Sequence, residues 1–212
     1  MSQISESFRT LRTNTQFTTA SDELKVIAVT SCQPGEGKTT TVSNLAVAYA
    51  QEGKRTLLID ADLRKPSLHK VFSNSNRKGL SNLLARQTDR EDVVIQTHIE
   101  HLTLIPAGPV PPNPAELLGS KGMDELLSAV RDQYDVILID TPPVLVVTDA
   151  QVVATKSDGI LLVIRAGMIK KNMALRAKSR LEHVQAKVLG VVLNGKKKSK
   201  SDLSYYEYAA SR

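Results

Sequence analysis

The run Ser31-Cys32-Gln33-Pro34-Gly35-Glu36-Gly37-Lys38-Thr39-Thr40 gathers two glycines, a lysine and consecutive hydroxyls in one short stretch. An apolar run, Val26-Ile27-Ala28-Val29, precedes it, and a helical pattern through Val42, Leu45, Ala46 and Tyr49 follows. Strand, glycine-rich turn, lysine, hydroxyl and helix is the order that phosphate binding requires. Glycines let successive backbone N–H groups curl around phosphate oxygens, and the start of the helix adds its partial positive charge. The residues assigned to a nucleotide are therefore Gly35, Glu36, Gly37, Lys38, Thr39 and Thr40. Lys38 can reach β- and γ-phosphates, and the Thr39 hydroxyl can ligate Mg²⁺. The usual spacing would put a glycine where Cys32 stands, so the loop departs from the common form.

Two carboxylate endings separate this stretch from an ordinary turn with a surface lysine. Thr56-Leu57-Leu58-Ile59 runs into Asp60-Ala61-Asp62, and Val136-Ile137-Leu138-Ile139 runs into Asp140-Thr141-Pro142-Pro143. Carboxylates just past two strands lie at the same sheet edge as the glycine-rich loop. Mg²⁺ takes oxygen ligands and needs only one or two protein carboxylates, which Asp62 and Asp140 beside Thr39 would supply. A further carboxylate can orient or deprotonate the hydroxyl that attacks a γ-phosphate. Asp60 and Asp62 are equal candidates for that task. Asp endings could also be plain helix caps, but their conjunction with the loop argues for chemistry.

The elements that must position these groups alternate. Apolar strands are expected near Leu24–Thr30, Thr56–Ile59, Leu102–Ile105, Val136–Ile139, Ile160–Ile164 and Val188–Leu193. Helical patterns fall between them, to about Gln51, at Gly79–Leu84, from near Ala115, and at Lys121–Arg131, Asp149–Thr155 and Lys170–Val184. That alternation predicts an α/β fold with a doubly wound, mainly parallel sheet and its ligand at the carboxyl ends of the strands. Asn194, ending the last strand before Gly195, is a candidate adenine contact or simply an Asn-Gly turn. Arg64 is placed near the phosphates or at a subunit contact.

With 212 residues, 41% of them hydrophobic, the chain can bury the core of one domain. Its single cysteine excludes a disulfide framework and fits a reducing cytoplasm. No apolar run approaches the length of a membrane span. The net charge of +6 gathers late: from Arg165 to Lys200 the only acid is Glu182. Such a block suits an anionic surface or acidic partner, or a merely solvated face. Residues 1–18 read as a helix standing ahead of the nucleotide fold, with Glu6, Arg9 and Arg12 on one stripe. The expected division is an N-terminal helix over 1–20, a nucleotide-binding domain over 21–195 and a basic tail over 196–212.

The three motifs resemble the Walker A, A′ and B motifs of the deviant P-loop ATPases, a group of division-site and partitioning ATPases that also contains the bacterial tyrosine kinases. The partitioning ATPases carry a signature lysine where this chain has Gln33. Three features resemble the tyrosine kinases specifically. Glu6-Ser7-Phe8-Arg9-Thr10-Leu11-Arg12 fits their E-x-x-R-x-x-R helix, Gly108–Leu118 resembles their proline-rich segment, and Ser204-Tyr205-Tyr206-Glu207-Tyr208 resembles their terminal tyrosine cluster. The resemblance spans Ser5 to Tyr208.

It implies an ATP- and Mg²⁺-dependent tyrosine autokinase of capsule or exopolysaccharide synthesis, with Lys38, Asp60, Asp62 and Asp140 catalytic and Tyr205, Tyr206 and Tyr208 as acceptors. It further implies ring-like homo-oligomers built through Glu6, Arg9 and Arg12, and a transmembrane adaptor whose cytoplasmic tail holds the kinase at the inner membrane face. Other protein tyrosine substrates and a cognate tyrosine phosphatase complete the expected partners, with no nucleic acid. A partitioning-type ATPase, with water as acceptor, and an ATP-gated scaffold, with no transfer at all, are the competing readings.

Overall fold

A computed structural model describes residues 3–18 and 24–196. The strands are β1 (Val26–Ser31), β2 (Thr56–Asp60), β3 (Ile95–Gln96), β4 (Leu102–Ile105), β5 (Val136–Asp140), β6 (Gly159–Arg165) and β7 (Val188–Asn194). The helices are α1 (Gln3–Phe17), α2 (Lys38–Ala50), α3 (Leu68–Val71), α4 (Leu80–Leu84), α5 (Pro114–Gly119), α6 (Lys121–Arg131), α7 (Asp149–Ala154) and α8 (Lys171–His183). The sheet order is β3-β4-β2-β5-β1-β6-β7, and every pairing is parallel except that of β3 with β4. The doubly wound sheet expected from the alternation is present. The two-residue β3 carries too little apolar pattern to be read from sequence.

Strands buried on both faces must be apolar throughout, which is why β1, β2 and β5 read as continuous runs and are buried at every position. Alternate residues then feed two cores. Ile27, Val29, Leu58 and Leu138 face α2 through Val42, Leu45, Ala46 and Tyr49. Ala28, Leu57, Ile59, Ile137 and Ile139 face the other layer, with Leu127, Val130, Val153, Ala177 and Leu181. Register carries the chemistry: Asp60 pairs with Asp140 across β2 and β5, and Val29 with Asp140 across β1 and β5. The loop leaving β1 thus opens beside both carboxylate endings.

The N-terminal helix does not stand apart. Leu11 packs against the α2-side core, and Thr15 is buried. Arg12 donates to the Ala48 carbonyl at 3.0 Å and pairs with Glu52 at 3.4 Å, while Gln16 donates to Glu52 at 3.0 Å. Periodicity shows which residues share a helix face but not what that face meets, so this docking was invisible in the sequence. No helix among the described residues is long and apolar enough to cross a membrane.

Candidate active site

The glycine-rich loop is built by two residues in the left-handed region, Gly35 at φ 84° and Gly37 at φ 91°. At Gly37 there is a second reason: a Cβ there would lie 2.1 Å from the Asn194 side-chain nitrogen and would push that amide off the loop. Helix α2 starts immediately after, with the Thr41 N–H donating to the Gly37 carbonyl at 2.8 Å. The N–H groups of its first turn lack partners within the helix and point toward the loop, an anion-binding arrangement.

Glu36 does something the sequence did not announce. Its side chain is 1% exposed and turns back into the protein. One carboxylate oxygen accepts the Gln33 N–H and the other the Arg165 N–H at 3.1 Å. The Arg165 guanidinium donates to the Gly35 carbonyl at 3.2 Å, and Asn194 donates to the Glu36 carbonyl at 2.9 Å. The ends of β6 and β7 therefore strap the loop from behind. Asn194, expected beside adenine, has its amide nitrogen on the loop backbone. Arg165, counted as one charge of a basic block, is a brace. Arg180 is likewise engaged within the chain, donating to the Val144 carbonyl at 3.1 Å.

Lys38, Thr39, Asp62 and Asp140 converge. The Lys38 ammonium lies 2.9 Å from Asp62 Oδ2 and 3.3 Å from Asp140 Oδ1, and Thr39 Oγ1 donates to Asp140 Oδ2 at 2.6 Å. Asp140 is wholly buried, and burial raises its pKa. Burial works against the Lys38 charge, but the Asp140 and Asp62 carboxylates outweigh it and hold the ammonium protonated, with its pKa raised. The segment after β5 is pinned to β1, since Thr141 Oγ1 donates to the Val29 carbonyl and Thr30 Oγ1 to the Pro142 carbonyl, each at 2.9 Å.

The two carboxylates of the second motif part company here. Asp60 is 0% exposed and accepts N–H bonds from Asp62 (3.2 Å), Ser67 (3.1 Å) and Leu68 (3.0 Å). Burial, with the Asp140 charge beside it, pushes its pKa up to about 7. Asp62 lines the open cavity and accepts the Lys65 N–H at 3.1 Å. That cavity, of 310 Å³, is lined by residues that include Gly35, Lys38, Thr40, Arg64, Pro143 and Val147. Arg64 is fixed by a two-point bond to Asp149, a wholly buried residue that the sequence reading passed over as a helix start. Only its place one residue after Thr148, at the head of a helix that follows Asp140, could have flagged it.

Cys32 is buried in the core, and burial pushes its thiol up to about 11, so it packs as a small apolar group and is not a reactive thiolate. On α1, Glu6 is exposed and pairs with Arg9 at 3.4 Å, while Arg12 is spent on α2. Tyr205, Tyr206 and Tyr208 lie outside the described residues.

Comparison with known proteins agrees with this geometry. Residues 24–189 match a family described as an AAA domain. The tyrosine-protein kinase YwqD of Bacillus subtilis is 47% identical over 203 residues, which cover 95% of this chain and 86% of that protein. The crystal structure of the chimerical protein CapA2B2 superposes with a TM-score of 0.89 at 42% identity, covering 93% of this chain and 87% of that one. The septum site-determining protein MinD of Pyrococcus horikoshii, solved with Mg-ADP, superposes at 0.71 with 26% identity, covering 84% and 73%. The fold is thus shared with division-site ATPases, while similarity along nearly the whole length lies with the kinases. The chain belongs to the bacterial tyrosine-protein kinases.

Proposed function

We propose that the chain transfers the γ-phosphate of ATP to tyrosine hydroxyls, with Tyr205, Tyr206 and Tyr208 of a neighbouring copy as first acceptors. The observation that carries this reading is the convergence on a braced phosphate loop: Lys38 lies within 3.3 Å of both Asp62 and Asp140, and Thr39 lies 2.6 Å from Asp140. Hard oxygen donors on Thr39, Asp62 and Asp140 fit Mg²⁺, which would neutralise phosphate charge when bound. Lys38 and the loop amides hold the phosphates. The acceptor proton goes to a carboxylate of the second motif. Access favours Asp62, which lines the cavity, and makes Asp60 the residue that holds the 60–68 turn in shape.

The wider assembly follows from the family resemblance. A transmembrane adaptor with a cytoplasmic tail recruits the chain to the inner membrane face and activates it, and Glu6 and Arg9 serve ring-like assembly. Arg12 contributes by fixing α1 on α2. Capsule or exopolysaccharide synthesis is the process regulated, with a cognate tyrosine phosphatase resetting the tail.

The test is mass spectrometry of the full chain after incubation with Mg-ATP and the adaptor tail. Wild type, Lys38→Met and a Tyr205/Tyr206/Tyr208→Phe triple variant are compared. Phosphate on the tail of wild type alone is the expected result. ATP turnover without phosphotyrosine would instead place the chain with the MinD-like ATPases, and nucleotide binding without turnover would leave a scaffold.

A further inference from the structure

Arg64 lines the same cavity as Lys38 and Thr39 of the phosphate loop, and its geometry is preset. Its Nε lies 2.9 Å from Asp149 Oδ2 and its Nη2 3.0 Å from Asp149 Oδ1. The Asp149 carboxylate is completely buried, whereas the Arg64 side chain keeps 41% of its surface exposed. A buried carboxylate deprived of its cation is costly, so Asp149 fixes the guanidinium instead of letting it sample solvent. Arg55 and Arg131 also make two-point bonds, but to carboxylates that keep 35% and 24% of their surface exposed, and two further arginines are held more loosely. Arg86 reaches a half-exposed Glu125 at 3.6 Å and Arg90 an exposed Glu91 at 3.3 Å. Neither has a buried anchor.

The two-point bond uses Nε and Nη2, and Nη1 makes no hydrogen bond among the described residues. A planar guanidinium can thus be clamped on one edge and still present donors on the other, which an ammonium cannot do. Arg64 and Lys65 line the cavity together with Lys38, and of these Lys38 is already committed to carboxylates. Lys38 is shared between Asp62 and Asp140, with Asp60 behind them, before any anionic nucleotide arrives. Negative charge on a transferring phosphoryl group spreads over its equatorial oxygens and is stabilised by fixed cations around them.

We propose that Arg64 is a catalytic residue that stabilises the phosphoryl group in flight, and that Asp149 is the positioning residue that aims it. The inference rests on the phosphoryl-transfer reading above and extends it. In the step, the bond from Pγ to the β,γ-bridging oxygen breaks as the bond from Pγ to the tyrosine oxygen forms. The tyrosine proton passes to the second-motif carboxylate, and ADP leaves. Arg64 exchanges no proton and contributes donors only.

The test measures phosphotyrosine formation and ADP release for Arg64→Lys, Asp149→Asn and the charge-neutral double Arg64→Gln/Asp149→Asn, with Arg64→Gln completing the cycle. Melting curves accompany each. Arg64→Lys is expected to lower kcat about 100-fold, with KM for ATP changed less than about 3-fold. Asp149→Asn should cost about 10-fold in wild type and nothing further in the Arg64→Gln background, because it acts through Arg64. Binding gives a readout apart from turnover. Wild type should bind ADP with magnesium and aluminium fluoride about 100-fold tighter than ADP alone, and Arg64→Lys should lose that gain while keeping its affinity for ADP. A loss confined to KM, an equal cost of Asp149→Asn in both backgrounds, or an undiminished fluoride effect would overturn the proposal. If phosphate goes only to water, the kinase reading fails while ADP release still tests Arg64. A chain that turns over no nucleotide overturns both.

Discussion

At the centre of the sheet, β1, β2 and β5 are buried at every residue, and the charged groups at their ends all have partners within the chain. At the β7 edge, Val191 is 57% exposed and Leu193 55%, and Leu175 on α8 is 55% exposed beside a 450 Å³ apolar groove. The same fold therefore encloses its polar chemistry in a saturated core and leaves apolar surface open on its flank. The difference teaches where tolerance lies. A central substitution disturbs packing and charge balance together, whereas an edge substitution disturbs neither.

The sharpest break of this contrast is Lys38→Met. It removes the cation that Asp62 and Asp140 share among the described residues, which the proposed function sets against the phosphates. Tyrosine phosphorylation, read by mass spectrometry, is expected to fall at least about 1000-fold. Packing gives the next effect. Leu58 is fully buried in β2, and Leu58→Ala is expected to cost about 2–5 kcal/mol in urea unfolding. Val191→Thr on the open edge should change stability by less than about 0.5 kcal/mol. Equal costs would mean that the edge is covered in the native assembly.

The same contrast explains what the sequence made legible. Central strands advertise themselves, since burial on both faces leaves only apolar residues, and the Asp60, Asp62 and Asp140 endings follow at once. Gly35, Gly37, Lys38 and Thr39 could be set on a turn ahead of a helix because the motif fixes their spacing, and the fold has that turn. The contacts that Glu36, Arg165, Asn194 and Asp149 make within the chain were not legible because most of their partners lie far along it. The Arg165 N–H meets a carboxylate 129 positions away, and Arg64 and Asp149 are 85 apart. Local pattern carries no record of such pairs. A charged residue in a basic block looks the same whether it braces a loop or faces solvent. The split between Asp60 and Asp62 was hidden for another reason, since adjacent motif positions differ in exposure only once the turn has formed.

On α1 the comparison can be drawn within a single motif. Arg12 is mostly buried against α2, whereas Arg9 pairs with the exposed Glu6 on the helix itself. Arg12→Ala is expected to destabilise the isolated chain by about 1.5 kcal/mol, and Arg9→Ala by less than about 0.5 kcal/mol, in the same unfolding assay. If Arg9→Ala lowers the oligomer mass while leaving stability unchanged, the motif divides into an assembly half and a docking half. Equal loss of stability in both would remove that division.

A loss smaller than that of Arg12→Ala concerns the amino ends of the strands, opposite the site. Asp158 accepts the Lys25 and Val26 N–H groups at 2.9 and 2.8 Å and holds Arg131 at 2.8 Å, tying the start of β1 to the start of β6. Burial alone would raise its pKa, but the amide bonds and Arg131 prevail and lower it. A carboxyl lowered in the folded state binds its proton later than in the unfolded chain. Its stabilisation is therefore complete above the unfolded value of about 4 and is lost as pH falls through the lower folded value. Asp158→Asn keeps the shape and removes the charge. At pH 7 it should cost about 1 kcal/mol, a drop of about 2–4 °C in melting temperature for a chain of this size. That gap should narrow steadily below pH 4, because the wild-type carboxyl then becomes neutral as well. A gap that stays constant to pH 3 would show that the two amide bonds, and not the charge, hold these strands together.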